Sequence, residues 1–440
     1  MSRVLGLALL CGLIGSTTSP SRGDEADPKV WSAANVEGLF TLYKHLHQNP
    51  ELSHQEKQTA ARLAQELESI GLKVTTGVNN TGVVAILENG PGPRIMVRTD
   101  LDALPVTEAT GLAYASKVKV NDPEGKQIGV MHACGHDIHI TCLVGTAQYM
   151  NLHRDKWSGT LMFIGQPAEE TVNGADGMLR DGLFTRWPKP DLALALHCSP
   201  KLPTGSVGYR PGFALANVDT IDVTVYGRGG HGAQPHTTID PVVIAAHLIV
   251  DLQSIIAREL EPGDPAVITV GSIHGGTKHN IIGNDCKLQL TVRSYADKTR
   301  EHILAAIERK AKAAAAAAGA PEPKVEKLDG TPAMFNDEAL VARVVPVFKE
   351  VFGEKNVELN EASMGGEDFS FYGKAGVPIF MFTLGTTEPE RIASYARLKQ
   401  TAPSLHSPLY YPDPQPSIQT GVTAMTSALL HLLPPEKSGR

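Results

Sequence analysis

Two short segments of this 440-residue chain bring together residue types that can bind metals or transfer protons: a cysteine and a histidine in one, and a pair of glutamates in the other. Cys134 and His136 are separated by a single glycine, so both side chains can face one point. Glu169 and Glu170 are adjacent, and in an extended segment neighbouring side chains diverge. Thiolates, imidazoles and carboxylates are ligands of zinc-like and manganese-like divalent ions. The pattern therefore predicts metal-assisted amide hydrolysis, with one glutamate on the metal and the other free as a general base.

Other interpretations of the same residues stay open at this point. A Glu-Glu pair is often a solvated surface, a buried cysteine can be an inert thiol, and Asp137 can simply cap its helix. A Cys–His hydrolase would use Cys134 as nucleophile, but His136 is fixed close by with a different direction and is a poor base for it. A non-catalytic protein that binds peptides or acyl amino acids would not need the free base that Glu169 offers.

Predicted strands at residues 94–98, 161–164 and 192–196 each lead directly into a polar segment. In open α/β sheets, ligands collect at the carboxyl ends of the strands. We therefore expect one rim of one sheet to gather Asp100 and Asp102 after the first strand, Glu169 and Glu170 after the second, His197 after the third, the segment 132–137 and His406. Asp100 or Asp102 is expected to bridge metals or to orient their ligands.

Alternating helical and strand patterns predict an α/β protein whose mixed sheet is flanked by helices. Residues 53–56 match a capping box for the second helix. Near residue 213 the pattern changes to a β-α-β-β-α order that is typical of a two-layer α+β module. We expect a catalytic domain in two parts, residues 30–212 and 329–435, with an inserted lid or dimerisation domain at 213–328.

The first residues have the character of a secretory signal peptide. One arginine precedes an apolar stretch at residues 4–15, and small polar residues follow to residue 23. We expect residues 1–23 to be an export signal, the protein to be periplasmic or secreted, and no further membrane association. The spacing of the four cysteines beyond this segment does not indicate disulfides.

Composition limits the classes of partner. Apolar residues make up 42% and charged residues 20% of the chain, as in soluble globular proteins. The 40 basic and 47 acidic residues leave a net charge of −7, so no basic excess is present to follow a phosphate backbone. Nucleic acid is not an expected partner.

These motifs resemble those of the metal-dependent amidohydrolases of the aminoacylase/carboxypeptidase superfamily. The branch that they resemble most is that of hippurate hydrolase, N-acyl-amino-acid and indole-acetyl-amino-acid amidohydrolases. The resemblance extends from about residue 39 to 433. Its motifs occur in the family's order: RTDLDALP at 98–105, MHACGHD at 131–137, QPAEE at 166–170, GGHGAQPH at 229–236, GGEDF at 365–369 and LHSP at 405–408.

The resemblance implies a fold, a two-metal site and a role for each matching residue. The implied metal ligands are Cys134, His136, Glu170, His197 and His406. Cys134 is implied to bridge two divalent ions, zinc or manganese. Glu169 is implied to be the base that activates water and carries its proton to the leaving amine, and Asp102 to orient the metal-site histidines or the base. Asp100 stands where sister branches have a ligand histidine, so its role stays open.

The resemblance also implies how a substrate is held. His231 of the inserted domain matches a histidine that stabilises the tetrahedral oxyanion or grips the substrate, often across a dimer. Asn280 and Arg293 match positions that are expected to meet a substrate carboxylate, and Gly283 replaces a proline of many relatives. The implied substrate is a small N-acyl amino acid or short peptide, and a homodimer would form through the inserted domain. A metal-dependent carboxypeptidase or dipeptidase is the alternative enzyme.

Overall fold

The computed structural model describes residues 26–436, so the predicted signal at 1–23 lies outside the described residues. The strands there, in chain order, are β1 Lys73–Val78, β2 Gly82–Asn89, β3 Arg94–Asp100, β4 Lys119–Asn121, β5 Gln127–Gly129, β6 Gly159–Gln166, β7 Leu192–Pro203, β8 Val207–Tyr209, β9 Gly212–Leu215, β10 Asn217–Tyr226, β11 Gly230–His231, β12 Ala266–Gly275, β13 Ile281–Ile282, β14 Asp285–Ser294, β15 Lys324–Thr331, β16 Met334–Asn336, β17 Val357–Leu359 and β18 Ile379–Thr387. The α-helices are α1 Pro28–Gln48, α2 Lys57–Ser69, α3 His136–Leu152, α4 Gly174–Arg180, α5 Leu183–Arg186, α6 Pro241–Ser254, α7 Asp297–Ala317, α8 Glu338–Phe352, α9 Ser370–Lys374, α10 Pro389–Leu398 and α11 Pro414–Leu432.

The larger sheet is mixed and has the strand order β1-β2-β6-β3-β7-β18-β8-β17. Its centre is parallel, because β3 pairs in parallel with both β6 and β7, and β7 pairs in parallel with β18. Strands β1 and β2 join antiparallel at one edge. The parallel centre brings the carboxyl ends of β3 and β6 to one rim, where ligands are expected in such sheets.

Both faces of this sheet are covered by helices, as alternation of apolar residues along a buried strand requires. In β6, Leu161 and Phe163 belong to a core with α1, α2, α3, α8 and α11. Met162 and Ile164, on the opposite face, belong to a second core with α4, α5 and α9. The predicted class, a mixed sheet flanked by helices, is confirmed.

A separate four-stranded antiparallel sheet lies between residues 217 and 331, in the order β12-β14-β10-β15. One face packs on α6 and α7, with Val223, Leu288, Leu248 and Ile307 fully buried between them. This two-layer α+β unit is inserted into the larger one. The chain leaves through β9 and returns through β16, and these two strands pair with each other.

Several details differ from the sequence predictions. The inserted unit has the order β-α-β-β-α-β, because the charged segment Lys324–Thr331 forms an edge strand on β10. His197 lies inside β7, not after its end, because pairing with β18 continues past it. The predicted capping box is wrong: α2 begins at Lys57 with no side-chain cap, and Ser53 and Glu56 bond to other segments.

The helical stretch Pro241–Glu259 is long and apolar enough to cross a membrane by length and composition alone, with a hydropathy of 1.5. Ile244, Leu248 and Leu252 on this stretch pack into the core of the inserted unit. The stretch Pro241–Glu259 is therefore a surface helix of the inserted unit, with one face packed on its core.

Candidate metal centre

The loop before α3 carries two of the predicted ligands. Cys134 is buried there, and His136 is the first residue of the helix. Gly135 between them has a φ of 81°, and a Cβ at this position would lie 2.9 Å from the Cys198 sulfur. Only glycine satisfies both the left-handed backbone and the close approach. The short turn therefore points the thiol and the imidazole to the same rim of the sheet.

Cys134 is at the centre of the donor cluster. Its Sγ lies 3.3 Å from His406 Nε2 and 3.6 Å from His197 Nε2. Its group with His136 and His197, and its group with Glu170 and His406, each have all ligand atoms within 4.8 Å of one another. The structure thus brings all five predicted metal ligands together, with the thiol shared by two three-donor groups.

Backbone carbonyls orient two of the histidines. His136 Nδ1 lies 2.8 Å from the carbonyl oxygen of Asp102, and His197 Nδ1 lies 2.9 Å from that of Cys198. With Nδ1–H donating to a carbonyl, each Nε2 carries the lone pair and faces the cluster. His406 lies on a more exposed loop, but its backbone N–H donates to the Ala133 carbonyl, beside Cys134.

Glu169 and Glu170 lie on a tight turn after β6 and face different partners. Glu170 Oε1 is 3.5 Å from His406 Nε2 and 3.8 Å from His136 Nε2. The backbone N–H of Glu170 donates to Asp102 Oδ2 over 3.0 Å. Glu169 lies within 4.8 Å of Glu367 and Asp368 in one group and of His136 and Glu170 in another. Of the two glutamates, only Glu170 also belongs to a group that contains Cys134.

A buried arginine balances part of the charge around Glu169. Arg98 donates from Nη2 to Glu367 Oε1 at 2.8 Å and to Asp368 Oδ1 at 3.0 Å. It also donates to Gln166 and to Asp100. One guanidinium thus joins β3, β6 and the segment before α9. Among the described residues, sequence reasoning did not single out Arg98, Glu367 or Asp368 as site residues, although all three occur in quoted motifs.

The cluster has too little positive charge for its acids, which is the condition of a cation site. Burial, with Glu367, Glu170 and Asp368 nearby, raises the pKa of Glu169 well above its usual range. Burial also raises the pKa of Glu170 to about 7 and that of the Cys134 thiol well above its usual range. His136 Nε2 and Glu170 Oε1 are buried without a hydrogen-bond partner. Soft and nitrogen donors with unpaired ligand atoms fit a zinc-like or manganese-like ion.

Asp100 supports the centre from behind it. Its Oδ1 accepts from His139 Nδ1 at 2.8 Å, and its Oδ2 accepts from Arg98 Nη1 at 2.8 Å. His139 Nε2 in turn accepts from the Cys198 backbone N–H. Although burial opposes it, the neighbouring His136, His139 and Arg98 hold the pKa of Asp100 well below its usual range. Both His139 nitrogens are therefore occupied, and this histidine was not among the predicted site residues.

A second buried histidine joins three segments that surround the centre. His47 of α1 lies 2.7 Å from Asp137 Oδ2 and 3.2 Å from Glu108 Oε1, and its side chain is 1% exposed. Burial alone would lower the pKa of His47, but hydrogen bonds to these two carboxylates raise it to about 9. The imidazolium ties α1 to the start of α3 and to the loop of Glu108. That loop also bonds the His406 loop, through Ala109 N–H and the Pro408 carbonyl.

The three predicted substrate residues lie on the inserted unit, outside the donor groups around Cys134. His231 and Asn280 are exposed and lie together where β11 meets β13, since Gly232 N–H donates to the Asn280 carbonyl. Arg293 is near the other end of the lid sheet and approaches the Met364 carbonyl. Arg293 and Asp285 are separated by eight residues of β14, or about 27 Å of extended strand. His231 and Asn280 pair beyond the Asp285 end.

The fold and the donor cluster define a metal-dependent amidohydrolase. The chain belongs to peptidase family M20/M25/M40, whose family model matches residues 96–397. It is 37% identical over 341 residues to the hippurate hydrolase of Campylobacter jejuni, covering 77% of this chain and 86% of that protein. It is 32% identical over 380 residues to an IAA-amino acid hydrolase ILR1-like 2 of Arabidopsis thaliana, covering 84% and 80%. The predicted family and its amidohydrolase branch are confirmed.

A solved structure shows the same architecture. The YXEP protein of Bacillus subtilis, a dinuclear metal-binding peptidase from the M20 family, aligns with a TM-score of 0.74 and 28% identity. The alignment covers 90% of this chain and 98% of that one. Dinuclear metal binding is thus a property of a family member with this fold, and the cluster around Cys134 has side chains that could hold a metal ion.

Proposed function

We propose that this protein hydrolyses the amide bond of N-acyl amino acids, such as hippurate-like compounds, to a carboxylic acid and an amino acid. The proposed centre holds two divalent ions, zinc or manganese, through Cys134, His136, Glu170, His197 and His406. Names of relatives support the substrate class, since a hippurate hydrolase and an IAA-amino acid hydrolase match most of the chain. A metal-dependent dipeptidase or carboxypeptidase is the alternative.

The observation that carries the proposal is the position of Glu169. Its carboxylate is buried between His136 and Glu170 on one side and Glu367 and Asp368 on the other, and it belongs to neither group that contains Cys134. Bound divalent ions would stabilise the negative charge that develops on the substrate carbonyl oxygen and would lower the pKa of a water molecule, so that it can lose a proton as it attacks. Glu169 takes the proton of the attacking water and delivers it to the leaving amine nitrogen. Its raised pKa suits a group that must both accept and donate a proton.

The test combines one variant, Glu169→Ala, with chelation and thiol alkylation of the wild type. We expect Glu169→Ala to keep the metal stoichiometry and to lose turnover of N-acyl amino acids by on the order of 100- to 10,000-fold. Chelation should abolish wild-type activity. Activity that survives chelation but not thiol alkylation would instead support a Cys134 nucleophile. Unchanged turnover in Glu169→Ala would remove the proposed mechanism.

A substrate panel distinguishes the amidohydrolase from the peptidase alternative. Benzoyl, acetyl, indole-acetyl and long-chain acyl amino acids would be compared with dipeptides, in zinc and in manganese. We propose that Arg293 and Asn280 bind the free carboxylate, so substrates without that group should be poorer. Equal turnover of the corresponding esters or amides would contradict these two roles. Faster turnover of dipeptides would favour the alternative.

We further propose that a second copy of this chain completes the site through the inserted unit. His231 and Asn280 are exposed on the inserted unit, and His231 belongs to none of the donor groups around Cys134, so in this arrangement a partner delivers them. The helix α6 exposes Val243 to 52% and Val250 to 73%, and β12 leaves one edge of its sheet unpaired. Exposed apolar side chains beside an open edge are typical of an interface between copies.

Mixing two inactive variants tests this arrangement. Glu169→Ala removes the proposed base of a site, and His231→Ala removes the histidine that the partner would contribute to it. If the site is shared, dimers of one copy of each variant contain one intact site and regain activity after subunit exchange. Mixtures that remain inactive, in a protein that sedimentation shows to be a dimer, would contradict delivery across the interface.

We also propose that residues 1–23 direct export. The sequence pattern alone supports this, and cell fractionation of the full-length protein with mass spectrometry of its N-terminus tests it. A cytoplasmic protein that retains its first residues would overturn the proposal.

A further inference from the structure

Residues 53–56, which match a capping box in sequence, have a different role in the structure. Glu56 is fully buried but makes no cap hydrogen bond for α2. Its Oε1 accepts from the backbone N–H of Ala168 at 2.8 Å and from that of His54 at 2.9 Å. Its Oε2 accepts from the Thr81 hydroxyl at 2.7 Å. The carboxylate thus holds the residue immediately before Glu169.

The same segment also holds the residue after Glu169, through Asp102. The Ser53 hydroxyl donates to Asp102 Oδ2 at 2.6 Å, and that oxygen also accepts the Glu170 backbone N–H at 3.0 Å. Residues 53–56 therefore contact the turn directly before the proposed base, through Glu56, and support it after the base indirectly, through Asp102. Neither contact involves the Glu169 side chain, which remains free for reaction.

The turn that carries Glu169 needs such external support. Ala168 and Val172 both have a φ of 55°, in the left-handed region that non-glycine residues rarely adopt. A β-branched residue such as valine is especially unfavourable there. Strained backbone of this kind persists only where the surroundings fix it. Glu56 and the Ser53–Asp102 pair supply part of that fixation from a segment more than a hundred residues away.

We infer that Ser53 and Glu56 are positioning residues of the reaction, which lock the 168–172 turn so that Glu169 faces the substrate while Glu170 faces the metal. The inference rests on the proposed function for its catalytic part. Adjacent side chains on this turn must point to different partners, so a small rotation of the turn would misplace both. A displacement of about 1 Å can cost on the order of 100-fold in rate.

The experiment compares Glu56→Ala with Glu56→Gln and Ser53→Ala, and with Leu67→Ala as a control for a weakened α2. Leu67 is buried in α2, in a core that includes none of residues 168–172. We expect Glu56→Ala to lower kcat on the order of 100-fold, with KM and metal stoichiometry within about threefold of the wild type. Glu56→Gln keeps an acceptor for the Ala168 N–H and should restore most of kcat. Ser53→Ala should show an intermediate loss.

Hydrogen exchange of the metal-free proteins gives a readout that does not depend on activity. Amides of residues 168–171 should exchange faster in Glu56→Ala than in the wild type. In Leu67→Ala their exchange rates should equal those of the wild type. The inference would be overturned if residues 168–171 of Glu56→Ala exchanged at the wild-type rate, or if Leu67→Ala lost as much kcat as Glu56→Ala. If Glu56→Ala fails to fold, Ser53→Ala decides by the same two readouts. A wild type inactive on every acyl amino acid would refute the proposed function, while the exchange data would still decide whether the turn is locked.

Discussion

Replacing His47 by glutamine should remove a pH-dependent part of the stability of this protein. The folded-state pKa of His47 is about 9 against an ordinary value of 6.5. A raised pKa means that the protonated imidazole stabilises the fold, fully below pH 6.5, and that this stabilisation is lost as the pH rises through 9. The difference of roughly 2.5 units corresponds to about 3 kcal/mol. Since the ring is 1% exposed, solvent screens little of it.

Urea unfolding followed by tryptophan fluorescence measures the effect, because Trp31 and Trp157 are both buried. At pH 6 the free energy of unfolding of the wild type should exceed that of His47→Gln by about 3 kcal/mol, because the variant leaves Asp137 and Glu108 without a cation. At pH 9.5 the difference should fall below about 1 kcal/mol. The control is His45→Gln, an exposed histidine on the same helix, which should differ from wild type by less than about 0.5 kcal/mol at either pH. A His47→Gln difference that stays constant or grows with pH would refute the reasoning.

Two further predictions concern the metal centre. Cys134→Ser should weaken binding of zinc by more than the roughly 10- to 100-fold that loss of an outer hydrogen-bonding partner costs, because a hydroxyl is a poor substitute for a shared thiolate. Equilibrium dialysis measures the zinc affinity. Cys286→Ser, in the core of the inserted unit, is the control for removal of a buried free thiol. Equal zinc affinity in the two variants would contradict the assignment of Cys134 as a metal ligand. Gly174→Ala should disrupt the 168–172 turn, because a Cβ there overlaps the Pro167 carbonyl oxygen. The melting temperature and the metal content should both fall. Gly38→Ala, at an exposed helix position with no neighbour within 4 Å, should leave the metal content unchanged and should not lower the melting temperature, because alanine is favoured over glycine in a helix interior.

The sequence predicted the elements whose residues alternate or repeat strongly. Strands β6 and β10 and helix α7 were found within a few residues, because their apolar positions follow the periods of strand and helix. Strand β15 was missed, since Lys324, Glu326 and Lys327 make it appear polar. It is an edge strand, and such strands often carry charge on their exposed side.

The clustering of the five candidate metal ligands could be expected because several of them follow neighbouring strands, while their assignment as ligands comes from the resemblance of the motifs. Their supporting residues could not be predicted from local spacing. Glu56 has the spacing of a capping residue, and only its contact with Ala168, 112 positions away, shows its actual partner. Arg98 and Glu367 likewise meet across 269 positions. Such pairings are set by the fold, so short sequence patterns do not reveal them.

The paired strands β9 and β16 have a consequence for how this architecture can be altered. Because Leu215 and Met334 are cross-strand partners, the two ends of the inserted unit are about 5 Å apart. A whole unit with adjacent ends can be exchanged for that of a relative without stretching the host sheet. Chimaeras built at this junction would keep the donor cluster constant while the inserted unit is varied, and would thereby measure what that unit contributes to substrate specificity.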